Sequence, residues 1–169
     1  TSSRVRTPAE SNGINSRMAD ALKIGVAGVG TVGASVVQLL EKHAGQIARK
    51  TGRPVTVTAV SARNRTRDRG IDTSGFEWFD DPVTMARDAN LDIFVELIGG
   101  DDGPAEDSVR QALGRGIHVV TANKALIAKH GVDLARLAEA NKACLNYEAA
   151  VAGGIPIVKT MRESLAGNE

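Results

Sequence analysis

Apolar runs and helically spaced apolar positions alternate along the chain from residue 20 onward. The apolar runs predict β-strands at 21–27, 55–60, 76–79, 91–98, 117–120 and 143–147. Apolar periodicity with cap, proline and glycine boundaries predicts helices at 31–50, 82–89, 104–113, 123–128, 133–141 and 156–165. Strands that alternate with helices lie parallel, and the helical crossovers cover both faces of the sheet. The pattern therefore predicts an α/β fold with a doubly wound, mostly parallel sheet.

A glycine-rich turn follows the first predicted strand and opens the first predicted helix. Gly28, Gly30 and Gly33 have the spacing Gly-x-Gly-x-x-Gly. In a dinucleotide-binding turn the first glycine allows the sharp bend and the second lets backbone approach a pyrophosphate. The third lets the helix pack closely on the strand. Glycine-rich turns also occur only to close a tight corner, but here strand and helix flank the turn as a dinucleotide site requires. The turn predicts a Rossmann-type nucleotide-binding domain.

The end of the second predicted strand carries arginine where an NAD-binding domain usually has an acidic residue. The local sequence is Ser-Ala-Arg-Asn-Arg, beginning at Ser61. The guanidinium of Arg63 can pair bidentately with a 2′-phosphate, which favours NADP over NAD. The alternative is a solvated arginine loop, and we expect Arg65, Arg67 and Arg69 to lie mostly in solvent.

Two later strand ends carry further candidates. Gly99 and Gly100 allow backbone to lie beside a flat ligand, or serve a tight turn. Lys124 follows another strand, and its ammonium would stabilise a developing alkoxide or the cofactor during hydride transfer; the alternative is an ordinary surface lysine. Glu96 lies within an apolar run, so we expect its carboxyl group to have a structural partner. His118 is expected to be a core or surface histidine.

Composition excludes several classes of partner. Of the 169 residues, 42% are hydrophobic and the formal net charge is +1, which gives no basic surface for nucleic acid or for a membrane. No apolar run approaches the ~20 residues that cross a bilayer. The one cysteine, Cys144, cannot form an internal disulfide, which fits a reducing, cytoplasmic location. Residues 1–17 are polar and aperiodic and are expected to be a disordered leader or tag.

Four motifs in order, GVAGVGTVG, VELIGG, VVTANKALIA and YEAAVAGGIPI, resemble those of the homoserine dehydrogenase family. The resemblance covers residues 20–169. It implies an oxidoreductase that interconverts L-homoserine and L-aspartate 4-semialdehyde with NAD(P)(H), in threonine, methionine and isoleucine biosynthesis. The implied cofactor contacts are Gly28, Val29, Gly30, Thr31, Val32, Gly33, Arg63, Gly99, Gly100, Thr121 and Lys124, with Lys124 close to the transferred hydride. The implied ligands of a sodium ion are Glu148, Val151, Gly153 and Ile155.

The resemblance also implies how the chain is divided. We expect an NAD(P)-binding domain at 18–149, followed by a hinge and first helix at 150–169. Family members continue into a substrate-binding and dimerising domain, so the full-length protein is expected to be a homo-oligomer that acts on a small-molecule substrate. The chain by itself is expected to bind cofactor with little turnover. Two alternatives remain open: the cofactor domain of another amino-acid or semialdehyde dehydrogenase, and a nonenzymatic NAD(P)-sensing module.

Overall fold

The structure is a computed structural model, and it describes residues 20–147. The strands are β1 (Leu22–Ala27), β2 (Val55–Ser61), β3 (Glu77–Phe79), β4 (Ile93–Glu96), β5 (His118–Thr121) and β6 (Leu145–Tyr147). The helices of the described residues are α1 (Thr31–Thr51), α2 (Pro82–Asp88), α3 (Pro104–Gly114) and α4 (Lys124–Ala140). The expected leader at 1–17 and the expected helix at 156–165 lie outside the described residues.

The six strands form one sheet in the order β3-β2-β1-β4-β5-β6, and every neighbouring pair is parallel. The strand order reverses at β1, which lies between β2 and β4. Ligands of doubly wound sheets bind at the carboxyl edge next to such a reversal. The predicted fold class is confirmed, and the glycine turn after β1 lies at this position.

Each face of the sheet is covered by helix, which is why the strands are nearly continuous apolar runs. On one face, α1 contributes Val37, Leu40 and Ile47 to a buried cluster with strand residues such as Ile24 and Val95. On the other face, helices α2, α3 and α4 pack around strand residues that point the opposite way. The largest buried side chains of this second cluster are Met85, Phe94, Leu113, Leu126 and Leu134.

The predicted break at Gly131 is wrong, because a single helix, α4, runs from Lys124 to Ala140. Leu126, Leu134 and Ala138 are buried along this helix. Gly131 costs about 1 kcal/mol relative to alanine in a helix interior, whereas burying each leucine side chain contributes roughly 1.5–3 kcal/mol. Packing against the sheet therefore outweighs the local weakness.

Among the described residues, no helix is both long and apolar enough to cross a membrane.

His118 begins β5 and is half-buried, as expected for a structural histidine. Its Nδ1 accepts a hydrogen bond from the backbone N–H of Cys144 at 3.0 Å, which joins β5 to the segment before β6. Burial lowers the pKa of His118 from its ordinary value of 6.5, and the Asp92 carboxylate opposes this shift only in part. Neutral imidazole is therefore the form that the fold favours.

We expect the free energy of unfolding to fall as the pH drops below 6.5, because the unfolded chain protonates His118 before the folded chain does. This stabilisation is complete above the unfolded-state pKa and is lost as the pH falls through the lower, folded-state pKa. His118→Asn keeps an acceptor near Nδ1 and removes the titrating group. The urea midpoints of both proteins at pH values of about 7.5 and 5.5 measure the effect. Equal losses in wild type and variant would contradict it.

Candidate functional site

The glycine turn leaves β1 through a left-handed residue that only glycine accommodates easily. Gly28 has a φ of +94°, and a Cβ there would lie 2.7 Å from the carbonyl oxygen of Leu97. The backbone N–H groups of Gly28 and Val29 donate to the carbonyl oxygen of Ser61, at 2.9 and 3.3 Å. The turn is therefore held against the end of β2 on one side and the end of β4 on the other.

The other two glycines differ in what surrounds them. A Cβ at Gly33 would lie 2.2 Å from the carbonyl oxygen of Gly28, so α1 is packed directly on the turn. A Cβ at Gly30 would meet no protein atom within 4 Å. The conformational roles expected of Gly28 and Gly33 are confirmed. Gly30 leaves open space where the sequence predicts a pyrophosphate.

The first turn of α1 has the features that bind an anion. Its N-cap residue, Gly30, has no side chain to cap the helix, and the first turn contains no acidic residue. Thr31 and Val32 open the helix, and Val32 is 54% exposed. Exposed backbone N–H groups and the positive end of the helix dipole favour a phosphate at this position.

A cavity of about 550 Å³ lies between the glycine turn, the end of β2 and the start of α2. Gly28, Val29, Gly30 and Arg63 line it together, which brings these predicted cofactor contacts to one site. A second cavity of about 250 Å³ begins at Gly30 and continues along α1. Both cavities share Gly30, Arg67 and Arg69 as lining residues.

Glu96 ends β4 as a fully buried carboxyl group with several partners. Its Oε1 accepts hydrogen bonds from the backbone N–H groups of Ile98 at 2.7 Å and Gly99 at 3.2 Å. Its Oε2 accepts from the hydroxyl of Thr121, the residue that faces it in register on β5. The expectation that Glu96 has structural partners is confirmed.

Thr121 and Lys124 lie beyond the main cavity, at the carboxyl end of β5. The buried hydroxyl of Thr121 donates to Glu96 and accepts from the N–H of Asn123 at 2.9 Å. The hydroxyl proton is therefore engaged with Glu96 and is not free to be donated to a cofactor. Lys124 is the first residue of α4 and is exposed; it forms no ion pair within residues 20–147.

Gly99 and Gly100 form the loop beside Lys124. Both are exposed and left-handed, with φ values of +84° and +89°. The side chain of Asn123 caps α4 by accepting from the N–H of Leu126 and donates to the carbonyl oxygen of Gly100. The loop after β4 is therefore attached to the start of α4, and the predicted nicotinamide-side residues share one part of the sheet edge.

Arg69 does not lie in solvent, contrary to the expectation for this loop. It is half-buried, and its guanidinium donates to the backbone of the glycine turn at Val29. Arginine occurs at every second position of this loop, at 63, 65, 67 and 69, so the spacing does not distinguish Arg69 from the others.

The predicted sodium ligands lie outside the described residues; they are Glu148, Val151, Gly153 and Ile155.

Known proteins match this chain over most of its length. The family model "Homoserine dehydrogenase, NAD binding domain" matches residues 28–148. The homoserine dehydrogenase of Pseudomonas aeruginosa is 42% identical over 149 residues, and that of Neisseria gonorrhoeae is 40% identical over 147. Each match covers 87% of this chain and 33% of the relative, so the chain spans about a third of the length of these relatives.

Solved structures agree with this match. A homoserine dehydrogenase from Thiobacillus denitrificans superposes with a TM-score of 0.72 at 40% identity, covering 88% of this chain and 34% of that one. The S. aureus homoserine dehydrogenase at pH 8.5 gives a TM-score of 0.70 at 35% identity, covering 78% of this chain and 33% of that one. The chain belongs to the homoserine dehydrogenase family, and the part that it shares with the family model is the NAD-binding domain.

Proposed function

We propose that this chain binds NADPH more tightly than NADH, and that it is the cofactor-binding part of an enzyme that interconverts L-homoserine and L-aspartate 4-semialdehyde. The observation that carries the cofactor site is the open space at Gly30, beside the uncapped start of α1. The pyrophosphate would lie there, against the backbone of Gly30, Thr31 and Val32.

Selectivity for the phosphorylated cofactor is assigned to Arg63. It lines the same cavity as the glycine turn and is exposed at the end of β2, where the adenosine ribose binds in this fold. Asp80 and Asp81 also line the cavity, but both carboxylates have partners. Asp80 accepts from the indole N–H of Trp78 at 2.9 Å, and Asp81 caps α2.

The proposed chemistry is hydride transfer to the aldehyde carbon of the semialdehyde, for which the reduced nicotinamide supplies the hydride. Negative charge develops on the aldehyde oxygen as the hydride arrives. The exposed ammonium of Lys124, at the sheet edge beside Gly100, would stabilise that charge. The buried contacts among Glu96, Thr121 and Asn123 hold this edge in place, so their role is to position it.

We further propose a sodium ion at Glu148, Val151, Gly153 and Ile155, a homo-oligomeric full-length protein and a cytoplasmic location. Family resemblance supports the ion and the oligomer, and the single cysteine supports the reducing compartment.

Titration of the 169-residue chain with NADPH and with NADH, followed by cofactor fluorescence, tests the proposal. We expect saturable binding of both cofactors and a lower Kd for NADPH, because NADH lacks the 2′-phosphate with which Arg63 would pair. Absence of binding by either cofactor in a folded sample would refute the assigned site. Equal Kd values would refute only the preference for NADPH.

Arg63→Asp should narrow or reverse that preference. The substitution removes the phosphate partner and places a carboxylate where it repels the 2′-phosphate and accepts from a ribose hydroxyl. We expect the Kd for NADPH to rise at least about tenfold, which corresponds to about 1.4 kcal/mol, and the Kd for NADH to stay level or fall. The same fluorescence titration measures both. An unchanged ratio of the two Kd values would remove Arg63 from the site.

A further inference from the structure

All three nitrogens of the Arg69 guanidinium donate hydrogen bonds to backbone carbonyl oxygens. Its Nε donates to the carbonyl oxygen of Val29 at 2.7 Å, and its Nη1 donates to that of Arg67 at 2.7 Å. Its Nη2 donates to the carbonyl oxygen of Asn64. One planar side chain therefore joins the glycine turn to two points of the segment that follows β2, which we call the arginine loop (63–70).

Other contacts hold the same loop. The Oδ1 of Asn64 accepts from the backbone N–H groups of Thr66 at 3.0 Å and Arg67 at 3.2 Å, forming a local turn. The side chain of Gln38 on α1 donates to the carbonyl oxygen of Gly70 at 2.9 Å. The loop is therefore attached to α1 at one end and to the glycine turn through Arg69.

The Trp78 ring of β3 lies against two arginines of the arginine loop. The guanidinium carbon of Arg69 lies 5.1 Å from the ring centroid, and that of Arg65 lies 5.9 Å from it. Both distances allow cation–π attraction. Of these two arginines, Arg69 also donates one hydrogen bond to the glycine turn, so they share the ring but differ in what they connect.

The attachment has a direct consequence for the cavities. Arg63 and Arg67 are exposed and line the space next to Gly30, and Arg67 reaches both cavities. If the loop were free, phosphate binding would cost the rotamer freedom of these side chains and also the backbone freedom of the loop that carries them. A loop already fixed to the glycine turn avoids the backbone part of that loss.

We propose that Arg69 is a positioning residue for cofactor selectivity. Through the carbonyl groups of Val29, Asn64 and Arg67 it holds the arginine loop against the glycine turn, so that Arg63 and Arg67 face the 2′-phosphate of NADPH. The inference rests on the proposed function, because it assumes that a dinucleotide occupies this turn. It adds a residue that acts through the loop and does not need to touch the ligand.

Arg69→Gln, with Arg65→Gln as the matched control, tests the role. Both variants lose one guanidinium from the same loop and the same Trp78 ring, but only Arg69→Gln releases the loop from Val29. We expect Arg69→Gln to raise the Kd for NADPH about tenfold and the Kd for NADH less than about threefold. Arg65→Gln should change each Kd less than about twofold. Fluorescence titration of the 169-residue chain gives all four values, and thermal unfolding checks each fold.

Arg69→Lys keeps the positive charge but replaces the three separate guanidinium nitrogens, which each bond a different carbonyl group, with a single nitrogen. This variant tests the role if Arg69→Gln does not fold. We expect it to lose NADPH affinity with little change for NADH, so the ratio of the two Kd values moves even though the net charge does not. An equal rise in the Kd values for NADPH and NADH, or no change in either, would overturn the positioning role while leaving the proposed cofactor site intact. If the wild-type chain binds neither cofactor, both proposals fall.

Discussion

Gly30→Val should remove cofactor binding and leave the fold intact. Gly30 has extended backbone, with φ −83° and ψ −156°, so a side chain there does not meet the left-handed strain that it would meet at Gly28. A Cβ at Gly30 meets no protein atom within 4 Å, so the new side chain starts in the open space assigned to the pyrophosphate. We expect the Kd for NADPH to rise at least about a hundredfold, equivalent to roughly 2.7 kcal/mol. The fluorescence titration that defines the wild-type Kd measures the loss.

Gly75→Val is the matched control for this substitution. Gly75 is also exposed, also has no protein atom near its Cβ position, and lines neither of the two cavities at the glycine turn. Its variant should bind NADPH as the wild type does. Wild-type affinity in a folded Gly30→Val sample, judged by circular dichroism and thermal unfolding, would contradict the placement of the pyrophosphate at the turn.

The features that depend on neighbours in the chain were predictable from sequence. The glycine spacing, with its flanking strand and helix, indicates a sharp bend at the first glycine and a close helix contact at the third. The structure gives a φ of +94° at Gly28, and a Cβ added at Gly33 would lie 2.2 Å from the carbonyl oxygen of Gly28. Alternation of strands and helices likewise predicted the parallel sheet. Local chain geometry decides these features, because backbone sterics and hydrogen-bond periodicity act over a few residues.

The features that depend on distant residues were not predictable. Gly131 weakens a helix locally, yet Leu126 and Leu134 pack on the sheet and keep α4 continuous. Arg69 resembles its neighbours in sequence, and its hydrogen bond to the glycine turn forms only because the fold brings Val29, 40 positions away, beside it. In both cases tertiary contacts supply energy that no local pattern contains.

Glu96 stands between these two cases. A carboxyl group in an apolar run must be satisfied, so sequence alone requires a partner. The identity of that partner depends on strand register, because β4 and β5 pair so that Glu96 lies opposite Thr121. The same pairing explains why the Thr121 hydroxyl bonds to Glu96, while the cofactor contact expected of Thr121 stays a prediction.

Glu96→Ala should therefore destabilise the protein strongly. It removes the acceptor of the partly buried Ile98 and Gly99 hydrogen bonds and of the buried Thr121 hydroxyl, and it truncates a side chain that is 0% exposed. A buried donor left unpaired costs about 1–3 kcal/mol, and the cavity left by a fully buried side chain adds to that loss, so we expect the free energy of unfolding to fall by about 3 kcal/mol. Urea denaturation followed by circular dichroism measures the loss.

Glu96→Gln separates the hydrogen bonds of Glu96 from the volume of its side chain. An amide oxygen still accepts from Ile98 and Gly99, while the amide N–H₂ faces a Thr121 hydroxyl that already accepts from Asn123. The glutamine variant should therefore lose less stability than the alanine variant, and only its contact with Thr121 should change. Combining each substitution with Thr121→Val isolates that contact as a coupling energy. A surface substitution usually changes the free energy of unfolding by less than about 0.5 kcal/mol. A loss this small in Glu96→Ala would show that the carboxyl group does not hold the loop after β4.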